Sequence, residues 1–267
     1  MIEIKTLIRN LDDINQEKKY LAPGKILVLS ILAGIYISFG SILYISVSSM
    51  SDNLLATKMI GSLVFCLGLI LVVVGKAELF TGNNLLIISV LNKKITFISM
   101  LKKWCIVYLG NAVGAFIVIF LVHYSGLSDS DNISFASKSV DIATSKVDLS
   151  LVNTFFRAIL CNIFVCLAVW ISYIASSVGS KILAIIFPIT CFVVMGFEHS
   201  IANMFIIPMG WLNQVNFNLY SSFSSISLSS FLGNLIPVTL GNIIGGVFFV
   251  GVSYWYCFSE EISDGKK

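Results

Sequence analysis

The chain has 267 residues, of which 57% are hydrophobic and only 12% are charged. A soluble globular protein typically carries about 25% charged residues, so this composition excludes an ordinary soluble protein and predicts an integral membrane protein. The formal net charge is +3, without a cluster of basic and aromatic side chains, so we expect no nucleic-acid partner.

The N-terminal segment, residues 1–25, mixes five basic with four acidic side chains, and no small-residue cleavage site follows an early apolar core. Its apolar residues Ile4, Leu7, Leu11 and Ile14 recur at helical spacing. We therefore predict a cytoplasmic amphipathic helix that lies against the membrane surface or against the inner face of the protein.

Six apolar runs are long enough to cross a membrane. They lie at about 26–48, 59–92, 104–124, 151–176, 182–216 and 232–258. The second and fifth runs are 34 and 35 residues long, and each is interrupted by polar residues near its middle. Such a run contains either two short spans or one discontinuous helix.

The distribution of basic residues decides between these two readings. Twelve lysines and arginines fall in the N-terminal segment, the 93–103 loop, the 176–182 turn and the C-terminus, whereas three fall on the opposite side. The positive-inside rule then places both termini in the cytoplasm. Six crossings satisfy this topology, so we predict an all-α, multi-pass protein of a bacterial-type inner (plasma) membrane. We expect residues 26–258 to form a single six-span domain and residues 259–267 to form a cytoplasmic tail.

The six cysteines lie in or near apolar runs, without a Cys-x-x-Cys pair or a Cys/His cluster. We interpret them as small hydrophobic side chains, and expect no disulfide, metal or cofactor.

The two halves of the chain, about 26–124 and 151–258, repeat each other. The polar interruption of run two is Gly75-Lys-Ala-Glu-Leu-Phe-Thr-Gly-Asn-Asn84, and that of run five is Gly196-Phe-Glu-His-Ser-Ile-Ala-Asn203. Gly110-Asn111 with Gly114 in run three matches Gly241-Asn242 with Gly245 in run six. A unit of three crossings is odd, so its second copy runs through the membrane upside down.

Inverted three-helix repeats place discontinuous helices at their interface, near the membrane midplane. Non-helical backbone persists at that depth only where it is buried in protein or lines a cavity. The breaks in runs two and five are therefore the candidate pore. We interpret the glycine pairs as sites of close helix packing.

Glu78 and Glu198 lie inside these breaks, where an ionised group is costly unless it is paired or solvated. They could line the solute path, or they could accept hydrogen bonds from unpaired amides of the breaks. Their symmetric placement, each five residues before an asparagine (Asn83 or Asn203), favours the structural role.

His199 is the candidate functional residue, because the matching position of the first half is Leu79. Histidine changes charge between about pH 5 and 8. Thr81 can supply a hydroxyl donor opposite His199, and Asn162 in run four can supply an amide. Lys146, in the loop before run four, either attracts anions to the pore or is an ordinary surface lysine. With the helix N-termini exposed at the breaks, these groups suit a small anion.

The break sequences resemble signatures of the formate/nitrite transporter family. The resembling segments are Ala77–Asn83, Gly196–Gly210 and Asn234–Gly246, within a resemblance that covers residues 20–258. The resemblance implies an aquaporin-like protomer, a homopentamer with one pore per protomer, and formate, nitrite or hydrosulfide as substrate. In formate channels the first break often continues Thr-Ser-Thr, whereas this chain has Thr81-Gly-Asn-Asn84, so formate is not singled out.

The resemblance also implies roles for individual residues. Leu79 and Phe80 would control the cytoplasmic entrance. The apolar constrictions would be formed by Phe65, Leu69, Val165 and Phe192. The polar contacts to the solute would come from Thr81, Asn162, His199 and Lys146.

We therefore expect a passive channel rather than an enzyme. Lys146 and the helix dipoles concentrate a small monovalent anion, which then binds at mid-pore to His199, Thr81 and Asn162. If His199 shares a proton with the anion, a neutral acid crosses the apolar rings at much lower cost than an ion. The alternatives are a neutral-solute channel for water, glycerol or ammonia, and a proton-coupled anion transporter.

Overall fold

The computed structural model describes residues 22–51, 53–129, 133–219 and 225–263. These residues form helices and turns, without β-strands. The predicted amphipathic helix lies almost entirely outside the described residues, and so does the end of the predicted tail, from residue 264 onward.

In chain order the helices are α1 (Pro23–Ser49), α2 (Leu54–Val74), a 3-10 turn (Gly82–Leu85) leading into α3 (Leu86–Leu91), α4 (Phe97–Tyr124), α5 (Ile133–Val147), α6 (Leu151–Ile174), α7 (Val178–Val194), α8 (Ser200–Asn216), α9 (Leu228–Ile244), a π-helical segment (Gly245–Val252) and α10 (Ser253–Ser263). Among the described residues, five helical stretches are long and apolar enough to cross a membrane: α1, α2, α4, α6 and the stretch Leu228–Phe258. Helix α7, with 17 residues, is apolar but shorter.

Polar side chains mark where most of these helices begin. Asn53, Thr96 and Ser150 each accept a hydrogen bond from a first-turn amide of α2, α4 and α6. Ser177 before α7 and Ser227 before α9 form reciprocal capping boxes with the serine three residues later. These caps satisfy amides that have no partner within the helix.

The interior and exterior are distributed as expected for a lipid environment. Large apolar side chains are exposed along the outside of α4, such as those of Leu109, Phe116 and Phe120, whereas Asn111 on the same helix is fully buried. Polar groups therefore lie inside the protein, where they can pair with one another, and apolar groups face outward.

Glycines bring two helix pairs into close contact, as the sequence predicts. A Cβ at Gly114 of α4 would overlap the carbonyl oxygen of Ile31 on α1, and one at Gly245 would overlap the carbonyl oxygen of Ile159 on α6. Residues without a side chain let the backbones approach this closely. Helix α4 is thereby packed closely against α1, and the start of the π-helical segment against α6.

Two short non-helical segments interrupt the apolar runs. Residues 75–81 separate α2 from the 3-10 turn, and residues 195–199 separate α7 from α8. Lys76 and Gly196, each two residues before the glutamate, have φ angles of 53° and 66°. The segment between runs three and four, predicted to be a loop, contains helix α5, and Lys146 lies in its last turn.

Candidate functional site

The non-helical segment 75–81 is held by Asn111 of α4. Its Oδ1 accepts a hydrogen bond from the Phe80 amide at 2.9 Å. Its Nδ2 donates to the carbonyl oxygens of Ser30 at 2.7 Å and Glu78 at 2.9 Å. One fully buried side chain thereby satisfies backbone groups on both sides of the turn.

Asn242 of α9 holds the second segment in the same way. Its Oδ1 accepts from the Ser200 amide at 2.9 Å. Its Nδ2 donates to the carbonyl oxygens of Ala158 at 2.8 Å and Glu198 at 2.9 Å. The two halves of the chain therefore use the same three hydrogen bonds, atom for atom.

Several amides of the two breaks donate to groups other than the glutamate side chains. The Phe80 and Ser200 amides go to the asparagines, and the amides of Glu78 and Glu198 donate to the carbonyl oxygens of Leu29 and Arg157. An amide side chain serves both a backbone donor and a backbone acceptor, whereas a carboxylate only accepts.

The glutamates instead pair with side chains. Glu78 Oε2 accepts from Asn83 Nδ2 at 2.8 Å and lies 3.4 Å from Lys103 Nζ. Glu198 Oε2 accepts from Asn203 Nδ2 at 2.6 Å, and its Oε1 accepts from Lys146 Nζ at 2.8 Å.

Asn234 adds a further contact at Glu198, with its Nδ2 3.4 Å from Oε2. A lysine compensates each buried carboxylate, which is the condition for keeping an ionised group in the protein interior. The arrangement favours the structural role for Glu78, Glu198, Asn83 and Asn203.

His199 caps the N-terminus of α8 with its ring. Its Nδ1 accepts a hydrogen bond from the Ala202 amide at 3.1 Å. A nitrogen that accepts carries no hydrogen, so the neutral ring has its hydrogen on Nε2. Because Nε2 lies 3.0 Å from Thr81 Oγ1, the Nε2–H donates to the threonine.

This hydrogen bond joins two residues that are 118 positions apart, both of them buried. Since Thr81 Oγ1 accepts from the ring, the hydroxyl hydrogen of Thr81 remains available for a further acceptor. The His199 ring also stacks on Phe192, with the ring centroids 6.1 Å apart. Both rings of the contact are thereby fixed in orientation.

Two cavities lie near this pair: His199 lines one, and Leu79 and Gly82, which flank Thr81 in sequence, line the other. The cavity beside the histidine, named the His199 cavity, has a volume of about 190 Å³ and is lined by Phe65, Lys146, Arg157, Phe192, Glu198 and His199, among others. The second cavity, named the Leu79 cavity, has a volume of about 470 Å³ and is lined by Leu69, Lys76, Glu78, Leu79, Gly82 and Lys181, among others.

Most of the expected apolar residues lie along these cavities. Phe65 and Phe192 meet edge to face in the His199 cavity, with centroids 5.8 Å apart, and Leu69 and Leu79 line the Leu79 cavity. Phe80 differs, because its ring packs against Trp104 and Tyr108 of α4, with centroids 5.9 and 4.8 Å away. Its position in the turn directs it into the helix bundle.

Val165 and Asn162 are not among the residues that line the two cavities. Val165 is buried in the apolar core. Asn162 Nδ2 donates to the carbonyl oxygens of Asn242, at 2.6 Å, and of Thr81, at 3.3 Å. Asn162 therefore links the first non-helical segment, through the Thr81 carbonyl oxygen, to Asn242, which holds the second segment. The same bond positions the Thr81 backbone.

Lys146 is largely buried, so it is not an ordinary surface lysine, and its attraction of anions stays a prediction. It lines the His199 cavity, but its charge is matched by Glu198.

Sequence reasoning missed the bonding role of Asn111 and Asn242, although their repeated Gly-Asn pattern was a signal. It also passed over Arg157, whose position inside an apolar run marked it as unusual.

The sequence matches the formate/nitrite transporter family over residues 5–256. The chain belongs to this family. It is 37% identical over 252 residues to the formate channel FocA of Escherichia coli strain K12, with 90% of this chain and 88% of that protein covered. It is 38% identical over 265 residues to a probable formate transporter of Methanothermobacter thermautotrophicus, with 92% and 93% covered.

Solved structures of formate/nitrite transporter relatives share the fold. A pentameric formate channel with formate bound superposes with a TM-score of 0.78 and 34% identity, covering 89% of this chain and 98% of that one. An ion channel of the same family gives a TM-score of 0.81 and 29% identity, covering 95% and 98%. The protein is thus a multi-pass membrane protein of a family of transporters and channels, and the region that matches the family includes both non-helical segments.

Proposed function

We propose that the protein is a passive channel for small monovalent anions of weak acids, namely formate, nitrite or hydrosulfide. The observation that supports this most is the buried Thr81–His199 hydrogen bond. His199 lines one cavity, whereas Leu79 and Gly82, on either side of Thr81 in sequence, line the other. A solute that passes from one cavity to the other would meet this pair. The relatives named as formate channels support the substrate class.

The proposed architecture is a six-span domain of two inverted repeats, over residues 26–258. Runs two and five each cross once and are broken near mid-membrane. The matching hydrogen bonds of Asn111 and Asn242 support the repeat. Both termini lie in the cytoplasm of a bacterial-type inner membrane, so the Leu79 cavity, with Lys76 and Lys181, opens inward. The pentameric relative supports a homopentamer.

In the proposed mechanism, neutral His199 orients Thr81, whose hydroxyl hydrogen binds the anion between the cavities. Asn162 holds the Thr81 carbonyl and so fixes the donor in place. Phe65 and Leu69 form the apolar walls on either side, with Leu79 at the inner cavity. A proton taken up from the external solution converts the anion at this point into a neutral acid, which crosses apolar walls at lower cost than an ion. Flux therefore increases as the external pH falls.

The test is solute flux into liposomes that contain the purified protein, with formate, nitrite, hydrosulfide, chloride, glycerol and water compared from pH 5 to 8. We expect selective anion flux without an imposed ion gradient. His199→Ala should lose most of that flux and its pH dependence, because Thr81 loses its partner. His123→Ala, which alters the ring beside Tyr124, is the matched control and should behave as wild type.

Three outcomes would contradict parts of this proposal. Full anion flux and pH dependence in His199→Ala would refute the role of the histidine. Rapid water or glycerol flux without anion flux would favour a neutral-solute channel. Uphill anion accumulation driven by a proton gradient would favour a proton-coupled transporter.

A further inference from the structure

Arg157 is a charged residue inside an apolar helix, and the fold has no evident need for its charge. It lies in the second turn of α6, is half-buried, and lines the His199 cavity. A guanidinium is always ionised in proteins, and it is costly at membrane depth unless it is paired or faces a wet cavity.

The other charges of the His199 cavity are already compensated. Lys146 Nζ and Glu198 Oε1 are 2.8 Å apart. Within the described parts of the chain, no carboxylate oxygen lies within 4.0 Å of the Arg157 guanidinium. Its recorded hydrogen bond is a long one, from Nη1 to the Gly196 carbonyl oxygen at 3.5 Å. The guanidinium therefore brings an unmatched positive charge and several unused donors to the cavity.

The internal repeat indicates that the side chain is not required for folding. The Arg157 carbonyl oxygen accepts from the Glu198 amide, as the Leu29 carbonyl oxygen accepts from the Glu78 amide. Leu29 therefore occupies the equivalent position, and an apolar side chain there supports the same backbone contact. Like His199, Arg157 is a difference between the two copies, and it faces the same cavity as His199.

We propose that Arg157 is a binding and selectivity residue for planar anions with two oxygen atoms. The two-pronged guanidinium donates two parallel hydrogen bonds to a carboxylate or to nitrite, a geometry that a lysine ammonium does not reproduce. A single-atom anion such as chloride, or hydrosulfide with its one acceptor atom, receives the charge but not the second hydrogen bond. The inference rests on the proposed function, and it narrows the preferred substrate to formate and nitrite.

The residue would act before the Thr81–His199 pair. The His199 cavity, at about 190 Å³, is large enough for a small anion with a few water molecules. Arg157 and His199 both line this cavity, so an anion held by the guanidinium is already beside the histidine. Arg157 thus selects the anion by shape as well as by charge.

The test compares Arg157→Lys, Arg157→Leu and wild type in the liposome assay. Arg157→Lys keeps the positive charge but loses the pair of parallel donors of the guanidinium. Formate and nitrite flux at low concentration should therefore fall roughly tenfold, which is the effect of losing one charge-assisted hydrogen bond. Hydrosulfide and chloride flux should stay within about twofold, because the charge is unchanged. Arg157→Leu, which copies Leu29, should lower the flux of all four anions.

Lys58→Gln is the matched control for loss of a remote charge, because Lys58 is exposed on α2 and should leave all four fluxes unchanged. An unchanged ratio of formate to hydrosulfide flux in both Arg157 variants would overturn the inference.

A second measurement uses the wild-type protein in detergent and needs no variant. Phenylglyoxal modifies arginines, and this chain has two, Arg9 and Arg157. Formate should protect Arg157 from modification more strongly than the same concentration of chloride, while Arg9 reacts equally in both, as read by mass spectrometry. Equal modification of Arg157 in both salts would overturn the inference, even if anion flux confirms the channel. Protection without any anion flux would support the binding site and refute the proposed passage.

Discussion

Asn242→Ala should destabilise the protein strongly, because one buried side chain supports three backbone groups. Asn242 Oδ1 accepts a hydrogen bond from the Ser200 amide, and its Nδ2 donates to the carbonyl oxygens of Ala158 and Glu198, at 2.8 to 2.9 Å. Ala158 lies within α6, so its carbonyl oxygen keeps a helical partner. The Ser200 amide and the Glu198 carbonyl lose theirs.

Each buried backbone group that loses its partner costs about 1–3 kcal/mol, so the two together cost about 2–6 kcal/mol of the free energy of unfolding. The matched control is Asn213→Ala. Asn213 is also fully buried, but the recorded hydrogen bond of its side chain is a single one, to Ser139 Oγ at 2.8 Å. That variant should lose about 1 kcal/mol, apart from the packing loss common to both substitutions.

The assay is equilibrium unfolding in detergent micelles, followed by tryptophan fluorescence and compared between the two variants. Asn242→Ala should also lower anion flux, because Ser200 directly follows His199. If Asn242→Ala lost no more stability than Asn213→Ala, the assignment of Asn242 as the residue that holds the second non-helical segment would be wrong.

Two further substitutions test the charges and the backbone of the breaks. Glu198→Gln should cost about 3–5 kcal/mol, because it leaves the Lys146 ammonium without its carboxylate; the same unfolding assay measures it, and wild-type stability would refute a structural ion pair. Lys76→Gly should stabilise the protein by about 1 kcal/mol, because Lys76 has a φ of 53° and glycine adopts this conformation without strain. Lys76→Ala is its control, since alanine also removes the charge but keeps the Cβ, and an equal gain in both variants would contradict the strain argument.

The sequence by itself determined the class of the protein. The transfer energy of apolar side chains adds up along a run, so the length of a run predicts a membrane span without any knowledge of its neighbours. The break motifs indicated the formate/nitrite transporter family, and the match over residues 5–256 confirmed it. His199 could also be selected from the sequence, because a repeat can be read from residue order alone. Aligning the two halves places Leu79 opposite His199 and marks the histidine as the candidate residue.

The partners of each side chain were decided by the tertiary structure. The Thr81–His199 bond, the turn supports from Asn111 and Asn242, and the inward direction of Phe80 depend on how distant helices cross. A glutamate inside a break and an asparagine on another helix are equally plausible acceptors on paper. The relative positions of the helices then select the asparagines, because hydrogen bonds are short-ranged and directional.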